Sequence, residues 1–233
     1  MRRLSAAAML IATLTIGLKT DAQKVDARIR YDEEIGFLTR WRFEGTGQML
    51  VGNHNSPWRA AVVESRALFK AGTLIDIVGK LRLGFADYAS SDNTDCEWSL
   101  GEGLRIENRP HRRLRMQHCA MLEQRKMTYR PSHIKKSSSR IMYSLALRHD
   151  LGRQQKLFVG ASGRIFGNMK SEYKPANLFQ YAAVGVALGW HLNDRIDAGF
   201  DYTYHMADSK HITFGEQNRL NSFEFFFRHR IEL

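Results

Sequence analysis

From Lys24 to the last residue the chain alternates apolar and polar side chains with a period of two, and nothing else in it constrains the fold as strongly. An extended strand throws successive side chains to opposite faces, so each such run makes a strand with one greasy and one charged side. In Lys24 to Asp32 the odd positions are Val25, Ala27, Ile29 and Tyr31, against Lys24, Asp26, Arg28 and Arg30. Ile35, Phe37, Thr39, Trp41 and Phe43 keep that phase. Similar runs recur at Ile75 to Phe85, Ile141 to Leu147, Ile196 to Tyr204 and Phe223 to Leu233. Arg112 to Arg125 sets Leu114, Met116, Ala120 and Leu122 against Arg113, Arg115, Glu123 and Arg125, with His118 on the apolar side. Trp58 to Phe69 fits either phase, and Glu102 shares a face with Trp98, Leu100 and Leu104. Leu157 to Phe166 and Leu178 to Trp190 are rich in Gly and Ala, as crowded strands require.

The first twenty-two residues do not follow this pattern. Arg2 and Arg3 precede an apolar run, Leu4 to Leu18, and a small-residue exit at Ala22. That order predicts a secretory signal peptide over 1–22, with residues 23–233 as one mature domain; a run of about fifteen residues is short of the roughly twenty a spanning helix needs. No cysteine lies near the exit, so a lipid anchor is not expected. Export removes nucleic acid from the expected partners, although the net charge of +11 would otherwise invite it. Losing Arg2, Arg3 and Lys19 with Asp21 leaves the mature chain at +9.

The links between strands alternate in length. Short ones fall near Ala71 and Gly72, near Pro110, at 150–154 and at 191–194; long polar ones fall at 87–95, 126–138, 168–177 and 206–218. Short turns on one side and long loops on the other are the habit of bacterial outer-membrane barrels. We expect an all-β, antiparallel up-and-down transmembrane barrel. About eleven strands can be read, and an even number is the rule. A strand at Gln48 to Gly52, with a turn at Asp32-Glu33-Glu34, makes twelve, the preferred count; fusing 24–43 makes ten. A secreted sandwich or soluble barrel is the alternative, since it too alternates. Against it stand the charge on the polar face and the aromatics Tyr31, Trp41, Phe43, Trp98, Trp190, Tyr202 and Tyr204 near strand ends on the apolar face, placed like interfacial girdles. A mean hydropathy of −0.40 excludes a helical membrane bundle and suits a barrel with one wet face.

The polar face predicts a lumen lined by Arg113, Arg115, Glu123, Arg125, Arg140, Arg148, Arg228 and Arg230. Such a ladder either bridges itself and plugs a narrow barrel or forms a cationic, anion-favouring pore. The closing strand, with Phe223, Phe225, Phe227 and Ile231, resembles the signal read by barrel-assembly machinery, though it ends in Leu233 and not an aromatic.

Arg113-Leu114-Arg115 running to Leu122-Glu123-Gln124-Arg125, followed by Arg140-Ile141-Met142-Tyr143-Ser144-Leu145, resembles a family of Gram-negative outer-membrane β-barrels classed as a domain of unknown function. The similarity extends in layout to 157–166 and 184–204. It implies residence in the outer membrane and brings neither a substrate nor catalytic residues.

Other chemistry is thin. A lipid-modifying enzyme would need a histidine beside a serine, and His54 with Ser56 or His205 with Ser209 come nearest, with no third residue to orient the base. His191, His205, His211 and His229 are too scattered for a metal site, and no cofactor is expected. Cys96 and Cys119 fall on opposite faces, which disfavours a disulfide. The basic stretch Arg130 to Arg140, with His133, Lys135 and Lys136, reads as an extracellular loop suited to anionic lipopolysaccharide.

Overall fold

The computed structural model describes residues 25–37, 39–54, 56–88, 93–129, 134–152, 156–171, 179–207 and 221–232. The expected signal segment lies outside them. The described residues form eleven strands and no helix: β1 (Val25–Phe37), β2 (Trp41–His54), β3 (Ser56–Lys70), β4 (Ile75–Tyr88), β5 (Asn93–His111), β6 (Leu114–Tyr129), β7 (Ile134–Leu151), β8 (Leu157–Ser171), β9 (Phe179–His191), β10 (Ile196–Ala207) and β11 (Asn221–Glu232). Each pairs antiparallel with its chain neighbour, and β1 closes the sheet against β11. The result is a barrel; the sandwich alternative is thereby excluded.

The closing seam is parallel, with Ile29 opposite Phe225 and Ile35 opposite Ile231. Parallel closure is what an odd strand number demands, since an even count would bring β1 back antiparallel. Twelve and ten both gave way to eleven because the Asp32-Glu33-Glu34 stretch runs straight through β1, and Gln48 to Gly52 is the far half of β2. The acids at 32 and 34 face inward, so they break no apolar face; Thr46 Oγ1 donates to Asp32 at 2.9 Å. The first residues of β1 consequently stand at the end opposite the C-terminus.

Short connections lie at 38–40, 71–74, 112–113, 152–156 and 192–195, all at the end where β11 finishes. Gly152 turns the fourth with φ 73°, a left-handed backbone that glycine adopts without strain. Pro110, which has no N–H to give the ladder, sits in the register break between Asn108 and His111. Two expectations about loops are corrected. A single residue separates β2 from β3, and strand pairing carries β6 to Tyr129 and starts β7 at Ile134, so Lys135, Lys136 and Arg140 are strand residues.

The outer face is apolar around the barrel. Ile29, Met49, Val63, Leu104, Ile165 and Val186 are each more than half exposed, and all seven aromatics named above point outward. Trp41 packs on Phe69 with ring centroids 5.0 Å apart, and Phe200 lies among Trp190, Phe223 and Phe225. His118 stays on this face, its Nδ1 2.7 Å from the Tyr143 hydroxyl. Glu102 is exposed on it too, as the phase predicted.

Candidate functional site

The interior of the barrel collects most of the chemistry. Two neighbouring register rows cross it from β3 to β8, each built of directly opposed inward residues. One is apolar: Leu68 faces Val78, Val78 faces Gly103, Gly103 faces Met121, Met121 faces Met142, and Met142 faces Phe166. With Cys119 and Ala183 these side chains pack into one buried cluster. The next row is polar: Arg66, Lys80, Gly101, Glu123, Arg140 and Asn168.

Glycines on β5 make both rows possible. A Cβ on Gly103 would sit 2.1 Å from the Ala120 carbonyl oxygen and 2.7 Å from Met121 Cγ, so only bare backbone lets Met121 lie across the strand. Gly101 leaves the same corridor for Glu123, whose carboxylate passes over it to Lys80. The other oxygen of Glu123 accepts from Arg140 Nε at 2.5 Å. Arg140 also stacks on Phe166, 4.2 Å from the ring centroid. One row further, Arg125 grips Glu97 through two hydrogen bonds of 3.0 and 2.8 Å. Glu97, Glu123 and Arg140 are each 1% exposed. Charges held that far from solvent must be paired, and these are.

The opposite wall uses aromatic rings for the same purpose. Phe158, Gly189, Gly199 and Phe226 oppose one another in a row across β8, β9, β10 and β11. The Phe158 ring would lie 2.2 Å from a Cβ on Gly189 and that of Phe226 2.7 Å from one on Gly199, so both rings cover naked glycine backbone. Arg148 stacks on Phe158 at 3.7 Å and reaches Asp197 at 3.0 Å. Asp197, wholly buried, also receives Arg230 and lies 2.7 Å from His191 Nδ1. His191 Nε2 faces Asp150 at 3.3 Å.

Every described strand except β1 contributes at least one buried inward side chain. Eleven strands enclose a bore between the roughly eight that side chains just fill and the sixteen or more that leave a channel. Arg, Met and Phe are long enough to close it. A vestibule of about 710 Å³ opens at the short-connection end, lined by Arg42, Asp76, Glu107 and Arg109 among others. Its lining includes Leu68 of the apolar row. Asp76 closes part of its wall by accepting from Arg42 at 3.0 Å and Arg105 at 2.7 Å.

Of the eight residues expected to line a lumen, Glu123, Arg125 and Arg140 are buried inside and ion-paired, and Arg148 and Arg230 meet on Asp197. Arg115 points inward opposite Arg148. Arg228 lies 3.7 Å from Asp32 across the seam. Arg113 does not belong to the ladder: it sits in the β5–β6 turn, where its carbonyl accepts from Asp150 N. The sequence reading missed the partners, Lys80, Glu97, Asp150, His191 and Asp197, and also the inward apolar residues Met121 and Phe226. Phe226 was visible as an apolar residue in the phase of Glu224 and Arg228.

Cys96 and Cys119 are both free, on opposite faces. The His54, Ser56 and His205 side chains, and Ser209, lie outside what the structure describes, as do Arg130, His133 and His211.

The family model described as "Protein of unknown function (DUF2490)" matches residues 22–214. No curated protein matches the chain at a significant level. Among solved structures, the NanC porin superposes with a TM-score of 0.51 at 10% identity, covering 84% of this chain and 94% of the porin. The siderophore receptor PirA from Pseudomonas aeruginosa gives a TM-score of 0.30 at 9% identity, over 74% of this chain and 32% of the receptor.

Proposed function

This chain belongs to the family described as Protein of unknown function (DUF2490), and from that premise we propose that it is an outer-membrane β-barrel, exported by the signal segment at 1–22, whose lumen is closed. Support for the membrane comes from the continuous apolar outer face, far larger than a soluble monomer leaves bare, and from aromatics near both ends of the strands.

The single observation that carries the closed lumen is the apolar row from Leu68 to Phe166 lying beside the paired charges of Lys80, Glu123 and Arg140. Arg125, Arg140, Arg148 and Arg230, which would help make an anion-favouring pore, are neutralised by carboxylates at hydrogen-bonding distance, and the apolar row resists wetting. The protein is thus a non-enzymatic barrel, structural or gated, and not an open porin. Reconstitution in a planar bilayer tests this: no discrete conductance steps are expected, and steady ohmic steps from the unmodified protein would refute it. Fractionation tests the location, and recovery in soluble periplasm would contradict it.

A further inference from the structure

All five short connections carry or directly adjoin exposed basic side chains. Arg40 lies on the first, Lys70 at the start of the second, Arg109 and Arg112 around the third, Lys156 on the fourth and Arg195 on the fifth. Asp194 and Glu232 are the exposed acids at this end among the described residues. Among the described residues Arg40, Arg112 and Arg195 form no ion pair, whereas Arg125, Arg140 and Arg148 inside the barrel are held by carboxylates. Outward aromatics lie just inside the ring: Trp41 beside Arg40, Phe69 beside Lys70, Trp190 five residues before Arg195.

We propose that this ring of cations binds the phosphates of anionic phospholipid headgroups in the leaflet facing the short connections. The inference rests on the membrane reading above. Phosphate is the ligand because guanidinium and ammonium groups standing just beyond an aromatic belt lie at headgroup depth, where an anionic surface attracts them. The distribution selects a lipid surface over a soluble partner. A protein docking on the barrel end would need one sector of it, whereas a bilayer meets the whole circumference, and so do these side chains.

The full chain, reconstituted in phosphatidylcholine vesicles with and without phosphatidylglycerol, provides the test, read as the phosphatidylglycerol that copurifies in lipid discs. Several-fold enrichment over bulk is expected at low salt, falling at high salt and in the combined variant Arg40→Gln, Arg112→Gln, Lys156→Gln, Arg195→Gln. Those positions are exposed, and the variant should fold as the parent does, checked by heat-dependent gel mobility. No enrichment in the inserted parent, or equal enrichment in the variant, overturns the proposal. So does tight binding of soluble polyphosphate through the same side chains without lipid preference. Failure of the parent to insert at all sinks the membrane reading, and the inference with it.

Discussion

Glu123 on β6 reaches Lys80 on β4 across a strand that offers no side chain between them, because Gly101 lies directly between the two. With Arg140 on its other side, one carboxylate ties β4, β6 and β7 together inside the barrel. Removing it would leave Lys80 with only the longer contact to Glu64 at 3.6 Å and take from Arg140 its 2.5 Å carboxylate, in a site with almost no solvent.

Replacing Glu123 by Leu is therefore expected to cost up to about 3–5 kcal/mol, the range for removing one partner of a buried ion pair, with the remaining Glu64 contact to Lys80 keeping it toward the lower end. The measurement is urea unfolding in lipid vesicles. The Arg125 and Glu97 pair gives a cleaner control: Arg125→Met alone should be strongly destabilising, and Arg125→Met with Glu97→Leu should recover most of the loss. Equal stability of the single and double variants would contradict this.

The apolar row predicts a gain of function. Met121 and Met142 oppose each other in its centre. Exchanging both for Ser removes the longest apolar side chains and adds water-binding hydroxyls, so conductance steps absent from the parent should appear in a planar bilayer. A silent double variant would place the closure elsewhere.

Two glycines should respond oppositely to Ala. At Gly103 the new methyl meets backbone that cannot move aside, and a loss of about 1–3 kcal/mol or more is expected. At Gly79 nothing lies within 4 Å of it, so Gly79→Ala should be neutral or stabilise by up to about 1 kcal/mol. Midpoints of thermal unfolding on gels would rank the two.

The thiols should also behave differently. Non-reducing and reducing gels should show one mobility, since Cys96 and Cys119 face opposite sides of the wall. A membrane-permeant maleimide should label Cys96 in the folded protein and reach Cys119, 4% exposed, only after unfolding.

The alternation of Ile75 to Phe85 or Phe223 to Ile231 made the strands, their two faces and even the outward Glu102 legible without a structure, because a period of two is a local property of extended backbone. Either-phase runs were the exception. Trp58 to Phe69 was ambiguous because Ala60, Val62 and Leu68 are apolar residues that point inward, and periodicity cannot say which of two apolar faces meets the lumen.

Local pattern thus decided on its own that this chain makes a sheet with one greasy and one charged side, and that its arginines gather on the latter. Tertiary structure alone decided how the sheet closes and whether its bore stays open. Strand parity depends on where Asp32 and Glu34 find partners on other strands, and the apolar row inside the barrel depends on Leu68 and Phe166, ninety-eight residues apart, falling on one register line. Register is a relation between strands, set jointly by turns, bulges and the glycines that let side chains cross, and no single strand contains it.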